Sequence, residues 1–251
     1  MKHFVIFITF IGLASCKQKP FNLVKIEGKQ IPIDSTYVTI DSISNFITPY
    51  HDRINQVLDS TLAYAPFPIT KVDGDYNTTA GNLLADIVFE QANPIFKSRT
   101  GHEIDFVLLN HGGIRSIISS GKVSARTAFE VMPFENQIVV AELSGSNTQK
   151  LVEYIIDSGR AHPISGLQII LDASGGLFSI KVQDKPLDLS KQYYIATSDY
   201  LATGGDDMIF FKEAVNITNT DYLIRNAMID YFKKVDTIAP KIDARYYKLT
   251  R

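Results

Sequence analysis

The sequence predicts an α+β (mixed α/β) protein, a mixed β-sheet covered by helices. Three observations predict it. Apolar residues recur at helical spacing in several separated stretches, short apolar or β-branched runs stand between them, and two of those runs end on glycine pairs beside charged residues.

Taken in chain order, Phe46, Ile47, Tyr50, Ile54, Val57 and Leu58 mark one helical face, and residues 60–65 read as a short strand. Thr78 or Thr79 is placed to cap the clearest helix, on which Leu83, Leu84, Ile87, Val88, Ala92, Ile95 and Phe96 keep helical spacing. Pro94 inside it is expected to end or kink it. Residues 105–109 form an apolar run suited to a buried strand, and that strand delivers Asn110 to the first glycine pair. A short strand after Gly121 and a short helix over Ala125–Val131 lead to Pro133, which forces a break.

Residues 137–143 alternate as a strand does, and Leu151, Val152 and Ile155 mark a helix after Gly145. Three further strands are expected at 166–171, 178–182 and 193–197, the last leading to Asp199, Tyr200 and the second glycine pair. A helix with Ile224, Ala227, Met228, Tyr231 and Val235 on one face and a strand near 244–249 close the chain.

The first residues read as an address. A positive start at Lys2, an apolar run over residues 4–14 too short to span a bilayer, and Leu13-Ala14-Ser15-Cys16 resemble a bacterial lipoprotein signal peptide. Residues 1–15 are then the signal, 16–34 a lipidated N-terminus and tether, and 35–251 the folded domain. Cys16 is the single cysteine, so no internal disulfide is possible and its thiol is expected to carry the lipid. That places the protein at the cell envelope, on the periplasmic side or the cell surface. A net charge of −2 without any Lys/Arg run gives no attraction to nucleic acid polymers.

The candidate site is carried by two strings, Asn110-His111-Gly112-Gly113-Ile114-Arg115 and Asp199-Tyr200-Leu201-Ala202-Thr203-Gly204-Gly205-Asp206-Asp207. Glycine pairs at strand ends let backbone approach a small polar ligand. Arg115 offers a fork of donors suited to phosphate or carboxylate, Asn110 both donates and accepts, and Asp206 can accept from a vicinal diol. Phe134 and Tyr200 add flat apolar faces, and stacking on such a ring is worth about 1–3 kcal/mol per base. A nucleotide complements all of these groups. On spacing alone a blander reading stays open: paired glycines as turns, Phe134 as core, Asp206 as a turn cap.

Together with Gly81-Asn82-Leu83-Leu84-Ala85-Asp86, Met132-Pro133-Phe134-Glu135-Asn136 and Leu143-Ser144-Gly145, these strings resemble the C-terminal, substrate-specificity domain of 5'-nucleotidases. The resemblance implies a nucleobase held between Phe134 and Tyr200. It also implies Asn110 at the base, Arg115 at the ribose or phosphate, Asp206 at the ribose hydroxyls, and Gly112, Gly113, Gly204 and Gly205 as close-approach backbone. His111 stands where the family often has a third glycine. An arginine common in the family before the glycine-asparagine-leucine helix is replaced by the neighbourhood Asp73-Gly74-Asp75-Tyr76-Asn77, so fewer anion contacts are expected.

The family's catalysis resides in a separate metallophosphoesterase domain with two divalent metals. Here His51, His102, His111 and His162 show no metal-ligand spacing, and no Gly-x-Ser-x-Gly or phosphate-loop motif occurs. No catalytic residue, cofactor or metal is therefore expected in this chain. Two readings follow: recognition of a nucleotide or nucleoside for a partner metallophosphoesterase that holds the metals, or stand-alone nucleotide binding without catalysis.

Overall fold

The structure, a computed structural model, describes residues 23–34 and 36–250. The expected signal peptide and Cys16 lie outside the described residues. The chain divides into two units, 1–48 and 49–251. In the first, the described residues carry no regular element before Asp41. Helix α1 (Asp41–Leu58) buries none of its residues, and Ile43, Phe46, Ile47, Tyr50, Ile54 and Val57 are exposed on it.

The second unit runs through β1 (Thr61–Ala65), α2 (Thr79–Thr100), β2 (Phe106–Leu108), β3 (Gly121–Ser124), α3 (Ala125–Val131), β4 (Gln137–Ser144) and α4 (Gly145–Ser158). There follow β5 (Ile164–Ser165), β6 (Leu167–Leu171), β7 (Leu177–Val182), β8 (Lys185–Pro186), β9 (Gln192–Ser198), α5 (Asp199–Ala202), β10 (Asn216–Leu223), α6 (Ile224–Lys234) and β11 (Tyr246–Lys248). The expected α+β architecture is what forms. A five-stranded mixed sheet has the order β10-β4-β9-β2-β5, beside a four-stranded sheet β11-β6-β7-β8 and the pair β1-β3.

The inner strands β4, β9 and β2 of the five-stranded sheet are buried on both faces, which explains why they are apolar runs. Val107, Leu109, Ile138, Val140 and Ala196 point into a core shared with α2 and α6. Their neighbours Phe106, Leu108, Ala141, Leu143 and Ile195 point into a second core shared with α4, β6 and β7. Side-chain alternation along each strand thus feeds two cores from one sheet.

One pairing positions the site. β2 and β9 run parallel, with Phe106 opposite Ile195 and Val107 opposite Ala196. Their C-terminal ends therefore emerge at the same edge, one leading to Asn110 and the other to Asp199. β4 is antiparallel to β9 with Ile138 opposite Ser198, so the start of β4, just after Phe134 and Asn136, lies at that edge too.

One expectation is overturned in part, and one strand is unexpected. Pro94 does not end α2, which continues to Thr100 and closes on left-handed Gly101. The local cost of an interior proline, about 3 kcal/mol, is offset by burial on both sides of it, including Phe96 beyond the proline. Strand β10 is not among the expected strands, although Val215, Ile217, Thr218, Thr220 and Tyr222 favour a strand. It is a largely exposed edge strand whose register shifts between Asn219 and Tyr222, around Asp221 at φ 54°, so its alternation is broken.

Candidate ligand-binding site

A cavity of about 320 Å³ lies at this shared edge, lined by Asn110, Gly112, Gly113, Arg115, Phe134, Asn136, Tyr200 and Asp206. The structure brings together Asn110, Arg115, Tyr200 and Asp206 from the two strings, along with Phe134. Gly204 and Gly205 shape the loop around it without lining it.

After β2 the chain makes a tight turn over His111–Gly113, closed by the Gly113 N–H donating to the Asn110 carbonyl at 3.1 Å. A Cβ on Gly113 would stand 2.7 Å from Asn110 Oδ1, so glycine there lets the Asn110 side chain fold over the turn. Asn110 Nδ2 then donates to Asp206 Oδ2 at 2.7 Å, joining the two loops directly. Beneath the first loop, Lys71 Nζ donates to the carbonyls of Ile114 (2.6 Å) and His111 (3.4 Å). Burial, with the nearby charges of Arg115 and Arg160, lowers the Lys71 pKa.

The second loop is strained. Gly204, Asp206 and Asp207 all have positive φ, at 94°, 51° and 59°, a conformation that aspartate tolerates better than most residues and that tends to persist where surrounding contacts impose it. Those contacts are visible. Tyr200 Oη donates to Asp206 Oδ1 at 2.9 Å, and Tyr154 Oη donates to the Asp206 carbonyl at 2.6 Å. The Tyr200 ring lies over Gly205, where a Cβ would come within 2.5 Å of it. Donation to Asp206 raises the Tyr200 pKa, keeping the phenol protonated.

Phe134 is held through its backbone. Arg225 of α6, buried, donates to the carbonyls of Pro133 and Phe134 at 3.3 Å each, pairs with Glu135, and stacks 4.1 Å from the Phe129 ring. Phe134 is 39% exposed and Tyr200 45%, so each residue keeps surface open to a ligand. The Arg115 guanidinium stands 5.7 Å from the Phe134 centroid, over its face.

His162 is buried behind the first loop. Its Nδ1 accepts the His111 N–H at 3.3 Å. Burial lowers its pKa to about 4, outweighing the Leu109 carbonyl and Asp206, which favour the charged ring, and His111 and Arg160 push the same way as burial. Burial lowers His111 as well. Among the described residues no group of three or more His, Cys, Asp and Glu is arranged to hold a metal, and no helix is long and apolar enough to cross a membrane.

A family model described as 5'-nucleotidase, C-terminal domain matches residues 65–213. The chain belongs to that family. Protein UshA of Yersinia enterocolitica is 29% identical to this 5'-nucleotidase C-terminal domain protein over 52% of the chain and 24% of its own length. The cell wall protein Lmo0130 of Listeria monocytogenes is 27% identical over 75% of the chain and 25% of its own length. The chain thus spans about a quarter of these two curated relatives. The crystal structure of a 5'-nucleotidase precursor from Thermus thermophilus superposes with a TM-score of 0.69 at 24% identity, over 84% of this chain and 44% of that one.

In this 5'-nucleotidase C-terminal domain, the glycine-asparagine-leucine string is structural. Thr78 caps α2 by accepting from the Gly81 N–H. Buried Asn82 donates to Asn77 Oδ1 and the Lys241 carbonyl, and Asp86 pairs with Arg245. Asp73, in the segment lacking the family's arginine, accepts from the Thr79 N–H and hydroxyl at the same helix start.

Sequence reasoning missed Asn136 as a lining residue, and Lys71, Tyr154, His162 and Arg225 as supports. Asn136 stood within a string already singled out. The others lie far from the site in sequence and meet it only through the sheet topology.

Proposed function

We propose that this chain recognises a nucleotide or nucleoside, with the base between Phe134 and Tyr200, Asn110 at the base, the ribose hydroxyls on Asp206, and Arg115 at the ribose or phosphate. The observation that carries this is one cavity in which two exposed aromatic rings stand beside a carboxylate, an amide and a guanidinium. A flat, apolar, hydrogen-bonding base attached to a diol and an anion complements that set in shape and chemistry.

The chain is the recognition half of a 5'-nucleotidase-type hydrolase in nucleotide catabolism. A separate metallophosphoesterase supplies the divalent metals and the activated water, and this chain itself holds no cofactor. It sits at the cell envelope, lipid-anchored through Cys16; the lipobox at residues 13–16 and the likeness to a Listeria cell wall protein support that placement.

The test is phosphate release from nucleoside monophosphates, with added Mn²⁺, by the metallophosphoesterase encoded nearest this chain. Turnover that requires the chain, and is lost with Phe134→Ala or Tyr200→Ala, supports the two-protein reading. Equal turnover with and without the chain contradicts it. If the chain still binds nucleotide in that case, it is a stand-alone binding lipoprotein.

A further inference from the structure

Helix α1 carries an apolar seam with a period of its own. Ile40, Ile43, Ile47, Tyr50, Ile54 and Val57 are spaced three, four, three, four and three residues apart. That is the 3.5-residue repeat of a coiled coil, with Ile40, Ile47 and Ile54 at position a and Ile43, Tyr50 and Val57 at position d. The helix keeps this register throughout: the Ile40 carbonyl accepts the Ser44 N–H at 3.0 Å where it begins, and it runs to Leu58. The five aliphatic residues of the seam are each more than half exposed. Pro49 falls at position c, away from the seam, and Asn45, whose carbonyl it leaves without a helical donor, is exposed to water.

The domain holds α1 by another side. Arg126 of α3 donates to Asn55 Oδ1 at 2.6 Å, at position b, and pairs with Asp59 just beyond the helix. A helix seated through b turns its a and d positions away from the element that seats it. A lipid surface suits the seam poorly, because an interfacial helix relies on Lys and Arg along its polar face, whereas α1 has Asp41, Asp52 and a single Arg53. A 3.5-residue seam fits another helix with the same repeat. A second copy of α1 supplies one. In a parallel pair, the flanking g and e positions oppose Phe46 with His51 and Arg53 with Leu58, so no like charges meet. Lipid on Cys16 would set the copies on one membrane with their helices oriented alike, at raised effective concentration.

We propose that α1 pairs with α1 of a second copy of this chain, parallel and in register, through the seam from Ile40 to Val57. The pairing is independent of the nucleotide reading; only the common orientation rests on the lipid anchor.

The experiment adds one thiol to α1 in the full chain, expressed in the bacterial envelope and treated with a mild oxidant, and reads disulfide-linked dimer on a gel. Ile47→Cys and Ile54→Cys put the thiol on the seam, Asn45→Cys puts it on the outer position f, and the wild type, whose sole cysteine is Cys16, gives the background. Because α1 buries none of its residues, the core of the domain is untouched by these changes. Expected is dimer in both seam variants, roughly tenfold or more above that of Asn45→Cys. Adding Ile54→Lys to Ile47→Cys is expected to return dimer to background. Equal cross-linking at all three positions, none at the seam, or cross-linking undiminished by the lysine overturns the proposal. So does a seam thiol that links to a different protein.

Discussion

Tyr200 Oη donates to Asp206 Oδ1 at 2.9 Å and receives the Asp206 backbone N–H at 3.3 Å, so a stacking ring and a diol-binding carboxylate are locked together six residues apart. Tyr200→Phe keeps the ring and removes the lock. Because the pair is exposed, stability is expected to change by no more than about 1 kcal/mol. Nucleotide affinity is expected to fall several-fold as Asp206 loses its orientation. Denaturant midpoints and a binding titration on the same protein check both.

Tyr154 secures the same loop from below through the Asp206 carbonyl. Tyr154→Phe leaves Asp206 and Asp207 in left-handed conformations with one restraint fewer. Faster amide hydrogen exchange over residues 205–208 is expected, with little change elsewhere in the sheet. Exchange that is unchanged there would remove Tyr154 from the site's support.

Arg225 fixes the Phe134 segment through two backbone carbonyls rather than mainly through Glu135, whose side chain is 74% exposed. Arg225→Lys loses the forked donation in a buried position and is expected to cost about 2–4 kcal/mol, whereas Glu135→Gln is expected to cost under about 1 kcal/mol. Chemical denaturation of the two variants separates the carbonyl contacts from the ion pair.

The reach of the sequence was uneven for physical reasons. Strands β2, β4 and β9 were legible because burial on both faces makes them apolar runs, and the ring, amide, guanidinium and carboxylate residues were legible because each lies within a few residues of glycine or proline punctuation. What the sequence could not show was adjacency. The parallel pairing of Val107 with Ala196 is what brings residues 110 and 206 within hydrogen-bond distance, and nothing in either segment encodes its partner. The supports Lys71, Tyr154 and Arg225 were hidden likewise, since their roles depend on contacts made across the fold.

The neutral His162 ring imposes a pH dependence. Unfolded, the imidazole titrates near 6.5; folded, burial holds it at about 4. Between those values the unfolded chain binds the extra proton, so stability is fully present above pH 6.5 and is lost as pH falls toward 4, by up to about 3 kcal/mol. His111, shifted in the same direction, adds to that slope. Thermal unfolding from pH 7 to 4.5 should show a steeper decline for the wild type than for His162→Gln.

The most direct measurement is calorimetric titration of AMP and adenosine into the wild type, Phe134→Ala and Tyr200→Ala. Saturable binding to the wild type, weakened at least tenfold in each variant, is the expected result. No heat with either ligand, or affinities untouched by loss of both rings, would contradict a base held between Phe134 and Tyr200.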